Sequence, residues 1–161
     1  MTKRIISLIL LENQEEYKKE YLEVFVNGSF NLSGISVIFS DEDFDHIFTE
    51  PESKTHIRIF SFRRAKRMMF IKSLLDGTAQ IEIMFENDTG NIAVFSKELE
   101  CVIYLRIRPT TKTLQIGTFF DFGKDHSKMY KKQKLKCREI SVKELKEAVS
   151  SGPTTSRNAD S

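Results

Sequence analysis

Apolar residues recur every three or four positions in the first part of the chain. They are Leu10, Tyr17, Tyr21, Val24 and Phe25, within a segment rich in Glu and Lys. This spacing places apolar side chains along one side of an α-helix. Asn27 and Gly28 follow, and such a pair commonly ends a helix. The pattern therefore predicts an amphipathic helix that ends near residue 27.

A short strand and a short helix are predicted next. Residues 35–39 are apolar and mostly β-branched, which is typical of a strand. Ser40 and the three acidic residues after it have the pattern of a helix N-terminus, because a serine hydroxyl caps free N–H groups and the helix dipole favours negative charge there. We therefore expect a helix over residues 41–48 that carries His46 and ends before Pro51.

Residues 61–75 predict a second helix. Helical periodicity places Phe62, Ala65, Met68 and Met69 on one side of its first turns, and Arg63, Lys66 and Arg67 on another. Its last turns are apolar nearly all round, which is typical of a helix covered by a sheet on one side and by another element on the other.

The hydrophobic period changes to two in the second half of the chain. Four β-rich runs occupy residues 80–85, 91–95, 101–108 and 113–122, with short connections between them. We expect an antiparallel meander, and hence an α+β fold in which N-terminal helices pack on a four-stranded antiparallel sheet. Gly117 indicates a β-bulge or a close backbone approach, which leaves the facing of Thr118 open.

The third of these runs predicts a sheet with two unlike faces. Its apolar residues Ile103, Leu105 and Ile107 alternate with Tyr104, Arg106 and Arg108. Because successive side chains of a strand point to opposite faces, one face of the sheet is expected to be apolar and the other basic.

A short helix and a polar tail are expected at the C-terminus. Ser141 and Glu144 have the spacing of a capping box, and an apolar stripe follows them. Residues 150–161 are small and polar, so we expect them to be disordered. The chain has 161 residues with 40% hydrophobic content and thirteen Phe, which favours one folded domain over residues 1–149.

Composition argues against several classes of protein. The apolar run from Ile5 to Leu11 is too short to span a membrane and lacks a small-residue cleavage site, so we expect a cytoplasmic protein without a membrane partner. Cys101 and Cys137 lie far apart, and the three histidines are scattered. We therefore expect reduced cysteines, no metal ion and no cofactor.

The charge of the chain is concentrated in two basic blocks. Residues 54–72 contain seven Lys or Arg and no acid, and residues 105–138 contain ten against two acids, although the formal net charge is only +2. If folding brings both blocks to one surface, their fields add and attract a polyanion such as nucleic acid. The alternative is that both blocks are solvated faces neutralised by acids elsewhere.

The order of several motifs resembles a family of nucleases. Residues 39–46 read F-x-x-x-x-F-x-H, residues 64–75 contain Arg-Ala-x-Arg and then F-I-x-x-L-L, and the last β-rich run contains Gly-Thr-Phe-Phe before a segment rich in Tyr and Lys. Over residues 35–138 this order is similar to phage-associated nucleases of the barnase, EndoU, colicin tRNase and RelE-like (BECR) fold. The resemblance implies a metal-independent ribonuclease from a prophage, mobile element or toxin system, with RNA lying across the sheet.

Metal-independent cleavage of RNA uses the 2′-hydroxyl as nucleophile, and it needs proton transfer and stabilisation of charge on the phosphate. His46 is the candidate acid or base, because imidazoles exchange protons near neutral pH, and a structural role for it stays open. Arg64 and Arg67 match the helix motif of the family, and they either clamp a phosphate or bond to Glu50 or Glu52 at the surface. Glu50 matches an acid that often follows the His in this pattern and is expected to orient one of the arginines.

Further RNA contacts are predicted from the second basic block. Thr118 is a candidate hydroxyl donor on the last strand, although threonine is also a common β-former. Tyr130 lies among lysines, an arrangement that stacks a base while cations hold the backbone, or else forms a solvated charged segment. The predicted RNA-binding residues are Arg63, Arg106, Arg108, Tyr130, Lys131, Lys132 and Lys134.

Two functions are open at this point. The first is a small endoribonuclease that acts on tRNA or another structured RNA, with a protein inhibitor as a further partner. The second is a non-catalytic module that binds nucleic acid or inhibits another protein. Loss of cleavage with retained RNA binding after replacement of His46 would favour the first.

Overall fold

The computed structural model describes residues 8–122 and 126–151 as an α+β fold. Its strands are β1 (Phe30–Leu32), β2 (Ile35–Ile38), β3 (Thr49–Pro51), β4 (Arg58–Phe60), β5 (Glu82–Glu86), β6 (Ile92–Ser96), β7 (Cys101–Arg108), β8 (Thr113–Asp121) and β9 (Cys137–Glu139). Its α-helices are α1 (Gln14–Tyr21), α2 (Asp43–Ile47), α3 (Phe62–Ala65), α4 (Met68–Leu75), α5 (His126–Lys134) and α6 (Val142–Ser151). A π-helical turn, Leu22–Val26, continues α1.

The main sheet is larger than the sequence predicts. Its strand order is β1-β2-β8-β7-β6-β5-β9, and β3 and β4 form a separate two-stranded sheet. The prediction of a four-stranded antiparallel meander is therefore wrong. The strands β5 to β8 do pair antiparallel in sequence order, but β2 pairs parallel with β8, which makes a seven-stranded mixed sheet. The strands β1 and β9 have three residues each, too few to show an alternation of period two.

The single helix predicted over residues 61–75 is divided into α3 and α4. The Ser61 hydroxyl caps α3 by accepting a hydrogen bond from the Arg64 N–H at 3.2 Å. The chain leaves the α-helical path at Arg67, whose guanidinium donates to the Arg63 carbonyl at 2.8 Å. Carbonyls at a helix end have no partner within the helix, so this side chain satisfies one of them.

The main sheet separates two unlike layers. On one face, which we call the core face, α1 to α4 and α6 pack over the larger hydrophobic core. Ile103, Leu105 and Ile107 of β7 point into this core. The opposite face, which we call the α5 face, carries a smaller cluster beneath α5 that includes Tyr104. Beyond this cluster Arg106 and Arg108 lie exposed on the same face, as the alternation along β7 requires.

The C-terminal helix matches its predicted cap. The Glu144 N–H donates to the Ser141 hydroxyl, and the Ser141 N–H donates to the Glu144 carboxylate, both at 3.1 Å. This reciprocal pair is the capping box that the sequence indicates. Helix α6 continues to Ser151, and the rest of the predicted tail, residues 152–161, lies outside the described residues.

Both cysteines are present as thiols and differ in burial. Cys101 is buried, Cys137 is half-buried, and both are free thiols. Burial raises the pKa of the Cys137 thiol to about 11.

Within residues 8–122 and 126–151, each helix is too short or too polar to cross a lipid bilayer.

Candidate functional site

Helix α2 lies lengthwise beside strand β8. At the start of the helix, the Asp43 carboxylate accepts a hydrogen bond from the Gln115 amide at 3.1 Å. Just beyond the end of the helix, Glu50 lies 3.5 Å from Arg63, and Arg63 lies 3.4 Å from Asp121. The Gln115 hydrogen bond therefore anchors the start of α2 on β8, and Glu50 connects the chain after the helix to the end of β8 through Arg63.

Strand β8 contains the β-bulge that Gly117 indicates. Tyr104 of β7 lies opposite Thr118, and Arg106 lies opposite Gln115, so two residues advance on β7 while three advance on β8. A Cβ atom at Gly117 would lie 3.2 Å from the Tyr104 carbonyl oxygen. Because opposite residues of paired strands share a face, Thr118 and Gln115 both lie on the α5 face.

His46 lies on α2 and Thr118 lies on β8, the two elements that the Asp43–Gln115 hydrogen bond connects. His46 follows Asp43 by three residues, so their side chains share one side of the helix, and Asp43 reaches the α5 face through Gln115. Thr118 lies between Gln115 and Phe120 on β8 and is half-buried. The imidazole of His46 is exposed, and no hydrogen bond or ion pair of that ring occurs within the described part of the chain.

Arg58 is a member of this site that sequence reasoning missed. Its guanidinium donates to the Thr49 hydroxyl at 2.9 Å, to the Thr49 carbonyl at 2.8 Å and to the His46 carbonyl at 3.4 Å. These bonds satisfy carbonyls at the end of α2, which have no partner in the helix. Arg58 lies in the first basic block but in none of its motifs, so its charge was the only signal in the sequence.

Arg64 is buried at the other end of the same surface. Its side chain donates to the Thr49 carbonyl at 2.9 Å, and its guanidinium lies 5.0 Å from the centre of the Phe120 ring. Only 7% of the residue is exposed. Burial lowers the pKa of the Arg64 guanidinium, while the charges of Glu50 and Asp121 oppose that shift. The residue is therefore a cation held in place by its neighbours.

Glu50 connects the two neighbouring arginines. One of its carboxylate oxygens lies 3.5 Å from a nitrogen of Arg63 and 3.5 Å from a nitrogen of Arg64. Asp121 lies on the other side of Arg63, and its side chain is 5% exposed. Glu50 thus pairs by charge with Arg63 and Arg64, while its shared oxygen accepts no hydrogen bond within the described structure. Arg67 instead donates to the Arg63 carbonyl.

The segment rich in Tyr and Lys forms α5, which covers part of the α5 face. Tyr104 donates a hydrogen bond to the Gln133 side chain at 2.7 Å. Tyr130 donates to Glu82, and Lys134 binds the same carboxylate at 2.7 Å while lying 5.0 Å from the centre of the Tyr130 ring. The structure thus gives Tyr130 and Lys134 a common partner on β5, and Lys134 covers the ring predicted to stack on a base.

The other two predicted RNA-binding lysines of α5, Lys131 and Lys132, project in different directions from Lys134. Successive helical residues are separated by about 100°, so Lys132 lies on the opposite flank of the helix from Lys134. Since Lys134 reaches Glu82 on β5, Lys132 points away from that carboxylate. Helical spacing places Lys131 on the side of α5 away from the sheet, and both lysines are exposed.

We call the exposed groups around the contact of α2 with β8 the α2–β8 site. Its members are His46, Arg58, Arg106 and Thr118: Arg106 pairs with Asp43 at the start of α2, and Arg58 donates to the His46 carbonyl near its end. Arg108 and Lys132 are further exposed cations of the α5 face. An exposed imidazole and guanidinium groups are suited to bind a phosphate and to exchange a proton beside it. Asp43 compensates part of the charge, because its carboxylate lies 4.0 Å from Arg106.

Replacing Asp43 by alanine is expected to detach the start of α2 from the sheet. One oxygen of this carboxylate accepts hydrogen bonds from the Ser40 N–H, the Ser40 hydroxyl and the Gln115 amide. Loss of this capping group should lower the free energy of unfolding by about 2 kcal/mol, measured by urea denaturation. Asp41→Ala is the matched control, because Asp41 is exposed and pairs only with Lys18 at the surface. Equal losses in the two variants would contradict the anchoring role.

A search for metal-binding groups and for relatives adds no further assignment. Within residues 8–122 and 126–151, no cluster of three or more His, Cys, Asp or Glu side chains is suited to hold a metal ion. Comparison of the chain with models of protein families, with curated proteins and with solved structures finds no match.

Proposed function

We propose that the α2–β8 site binds RNA and cleaves it with the neighbouring 2′-hydroxyl as nucleophile. The observation that carries this proposal is the exposed imidazole of His46 on a helix whose start pairs with Arg106 through Asp43 and whose His46 carbonyl accepts a hydrogen bond from Arg58. An imidazole, a hydroxyl and two guanidinium groups match the needs of this reaction.

Each residue has a defined task in the proposed reaction. His46 accepts the proton of the 2′-hydroxyl, the P–O2′ bond forms as the P–O5′ bond breaks, and the 5′-oxygen leaves with a proton from water. Arg58 and Arg106 bind the phosphate oxygens and stabilise the charge that develops on them. Thr118 donates a hydrogen bond to the same group. Arg64 and Glu50 are positioning residues, because they hold the chain that follows α2.

The second candidate, a non-catalytic module that binds nucleic acid, is favoured by the state of the arginines on α3. Arg63 and Arg64 are both paired with carboxylates, so neither is an unpaired phosphate clamp. The exposed cations Arg106, Arg108 and Lys132 would then bind the RNA backbone without chemistry on it.

Incubation with total RNA separates the two candidates. The full chain is incubated with RNA with and without EDTA, and the fragment ends are sequenced. Cleavage in EDTA that leaves 5′-hydroxyl and 2′,3′-cyclic phosphate ends supports the ribonuclease. Binding without new ends in any buffer supports the module. Cleavage that EDTA abolishes would contradict the proposed chemistry.

Binding of RNA to this surface should depend steeply on salt. Four exposed cations, Arg58, Arg106, Arg108 and Lys132, are available to neutralise phosphates. With four neutralised phosphates, the logarithm of the binding constant should fall with the logarithm of salt concentration with a slope of about −3 for single-stranded RNA. Fluorescence anisotropy with a labelled oligoribonucleotide measures this slope.

Paired variants assign this dependence to the site. Arg106→Gln should make the slope less steep by about 0.7, because one phosphate contact is lost. Lys146→Gln is the matched control, since Lys146 is exposed on α6 and α6 packs on the core face. A binding constant that does not change with salt, or equal changes of the slope in the two variants, would contradict RNA binding at this surface.

A further inference from the structure

A cavity lies on the flank of α5 that carries Tyr130 and Lys134. It has a volume of about 570 Å³, and its apolar walls are Met84, Phe122, Tyr130 and Leu135. This volume lies within the range of small-molecule sites, which are mostly apolar with a few polar groups. The cavity is therefore large enough to take the apolar part of a small ligand.

Leu135 is the most unusual of these residues. Its exposed fraction is 85%, the highest among the described large apolar side chains. It follows the last residue of α5, and its side chain lines the cavity instead of packing in the hydrophobic core. A bound apolar group would remove this side chain from water, and such burial is favourable in proportion to the area covered.

The charged groups around the cavity favour an anion. Among the described residues, Lys97, Lys131 and Lys134 line it together with Glu100. Lys134 is compensated by Glu82: their hydrogen bond lowers the pKa of the Glu82 carboxyl and raises that of the Lys134 ammonium, and Lys97 interacts with the same carboxylate. Lys97 and Lys131 are exposed, so both ammonium groups are accessible to an anion beside the apolar wall.

We propose that this cavity binds a small amphiphilic anion, namely a carboxylate on an unbranched apolar chain. The chain lies against Met84, Phe122 and Leu135, and the carboxylate lies between Lys97 and Lys131. The site does not depend on the proposed ribonuclease function, because no residue of the α2–β8 site is among those that line this cavity.

Calorimetry with decanoate tests this proposal on the full chain. Saturable binding of one decanoate per chain is expected, with 1-decanol at least about tenfold weaker, because the alcohol keeps the apolar chain and lacks the charge. Equal affinity for the two compounds would overturn the anionic part of the proposal. No saturable binding of decanoate would overturn all of it.

Charge-reversal variants locate the site. The double variant Lys97→Glu with Lys131→Glu should bind decanoate at least about tenfold more weakly, since two attractive charges become repulsive. Lys143→Glu with Lys146→Glu is the matched control, with the same change of charge on exposed positions of α6. Leu135→Glu should also weaken binding. Equal effects of the two double variants would overturn the location, and thermal unfolding confirms that all of them fold.

Discussion

Replacing His46 by alanine should abolish RNA cleavage and leave RNA binding nearly unchanged. The imidazole is exposed, so its removal leaves no buried cavity in the protein. Loss of a positioned acid or base lowers the rate by about a hundredfold to ten-thousandfold. Arg58 and Arg106, the proposed phosphate ligands, remain in place, because they bind a backbone carbonyl and Asp43 rather than the imidazole. Single-turnover cleavage and anisotropy binding on one labelled RNA measure the two quantities separately.

His56 supplies the control for this experiment. It is exposed in the connection between β3 and β4, and its φ of 60° is a left-handed conformation that asparagine tolerates. His56→Asn should therefore leave both cleavage and binding unchanged. A rate that survives His46→Ala would assign the chemistry to another group, and equal losses in the two variants would point to a general effect on the fold.

Replacing Arg64 by alanine should lower the free energy of unfolding by about 3 kcal/mol. The change removes the hydrogen bond to the Thr49 carbonyl and the guanidinium above Phe120. It also leaves Glu50 and Asp121 with Arg63 as their sole cation in this cluster. Removing one cation from this cluster is costly, because two carboxylates then share one arginine and the Asp121 side chain is only 5% exposed. Urea denaturation followed by circular dichroism measures the loss.

Arg67→Ala is the matched control on the neighbouring helix turn. Arg67 is half-buried, and its guanidinium donates a hydrogen bond to the Arg63 carbonyl. A loss below about 1 kcal/mol is expected, which is typical of a single hydrogen bond. If Arg64→Ala costs no more than this control, the contacts of Arg64 with Glu50, Thr49 and Phe120 do not stabilise the fold.

Local sequence patterns predict a helix or strand when it is long enough to show the hydrophobic period of that element. Strand β7 has eight residues, enough for the alternation of Ile103, Leu105 and Ile107 with Arg106 and Arg108 to assign both faces. The three-residue strands β1 and β9 carry no such signal. The parallel pairing of β2 with β8 joins residues more than seventy positions apart, and no local pattern contains that information.

The candidate site was only partly predictable for the same reason. His46, Arg106 and Thr118 were identified by residue type and alternation, and Gly117 identified the bulge. Arg58 enters the site through bonds to the end of α2, which depend on the pairing of β3 with β4. The sequence predicts that Tyr130 and Lys134 bind RNA, whereas in the structure both side chains bind Glu82. Local patterns could not show this, because Glu82 lies on a strand about fifty residues earlier.

The extra residue at Gly117 sets the distance along β8 between two contacts of other elements. Gln115 donates to Asp43 of α2, and Asp121 lies 3.4 Å from Arg63 of α3. Deleting Gly117 would preserve which face every side chain occupies, yet it would shorten the strand between these two residues by about 3.3 Å. One of the two contacts would then have to stretch or break, so a deletion within the sheet would change how α2 and α3 are held beside it.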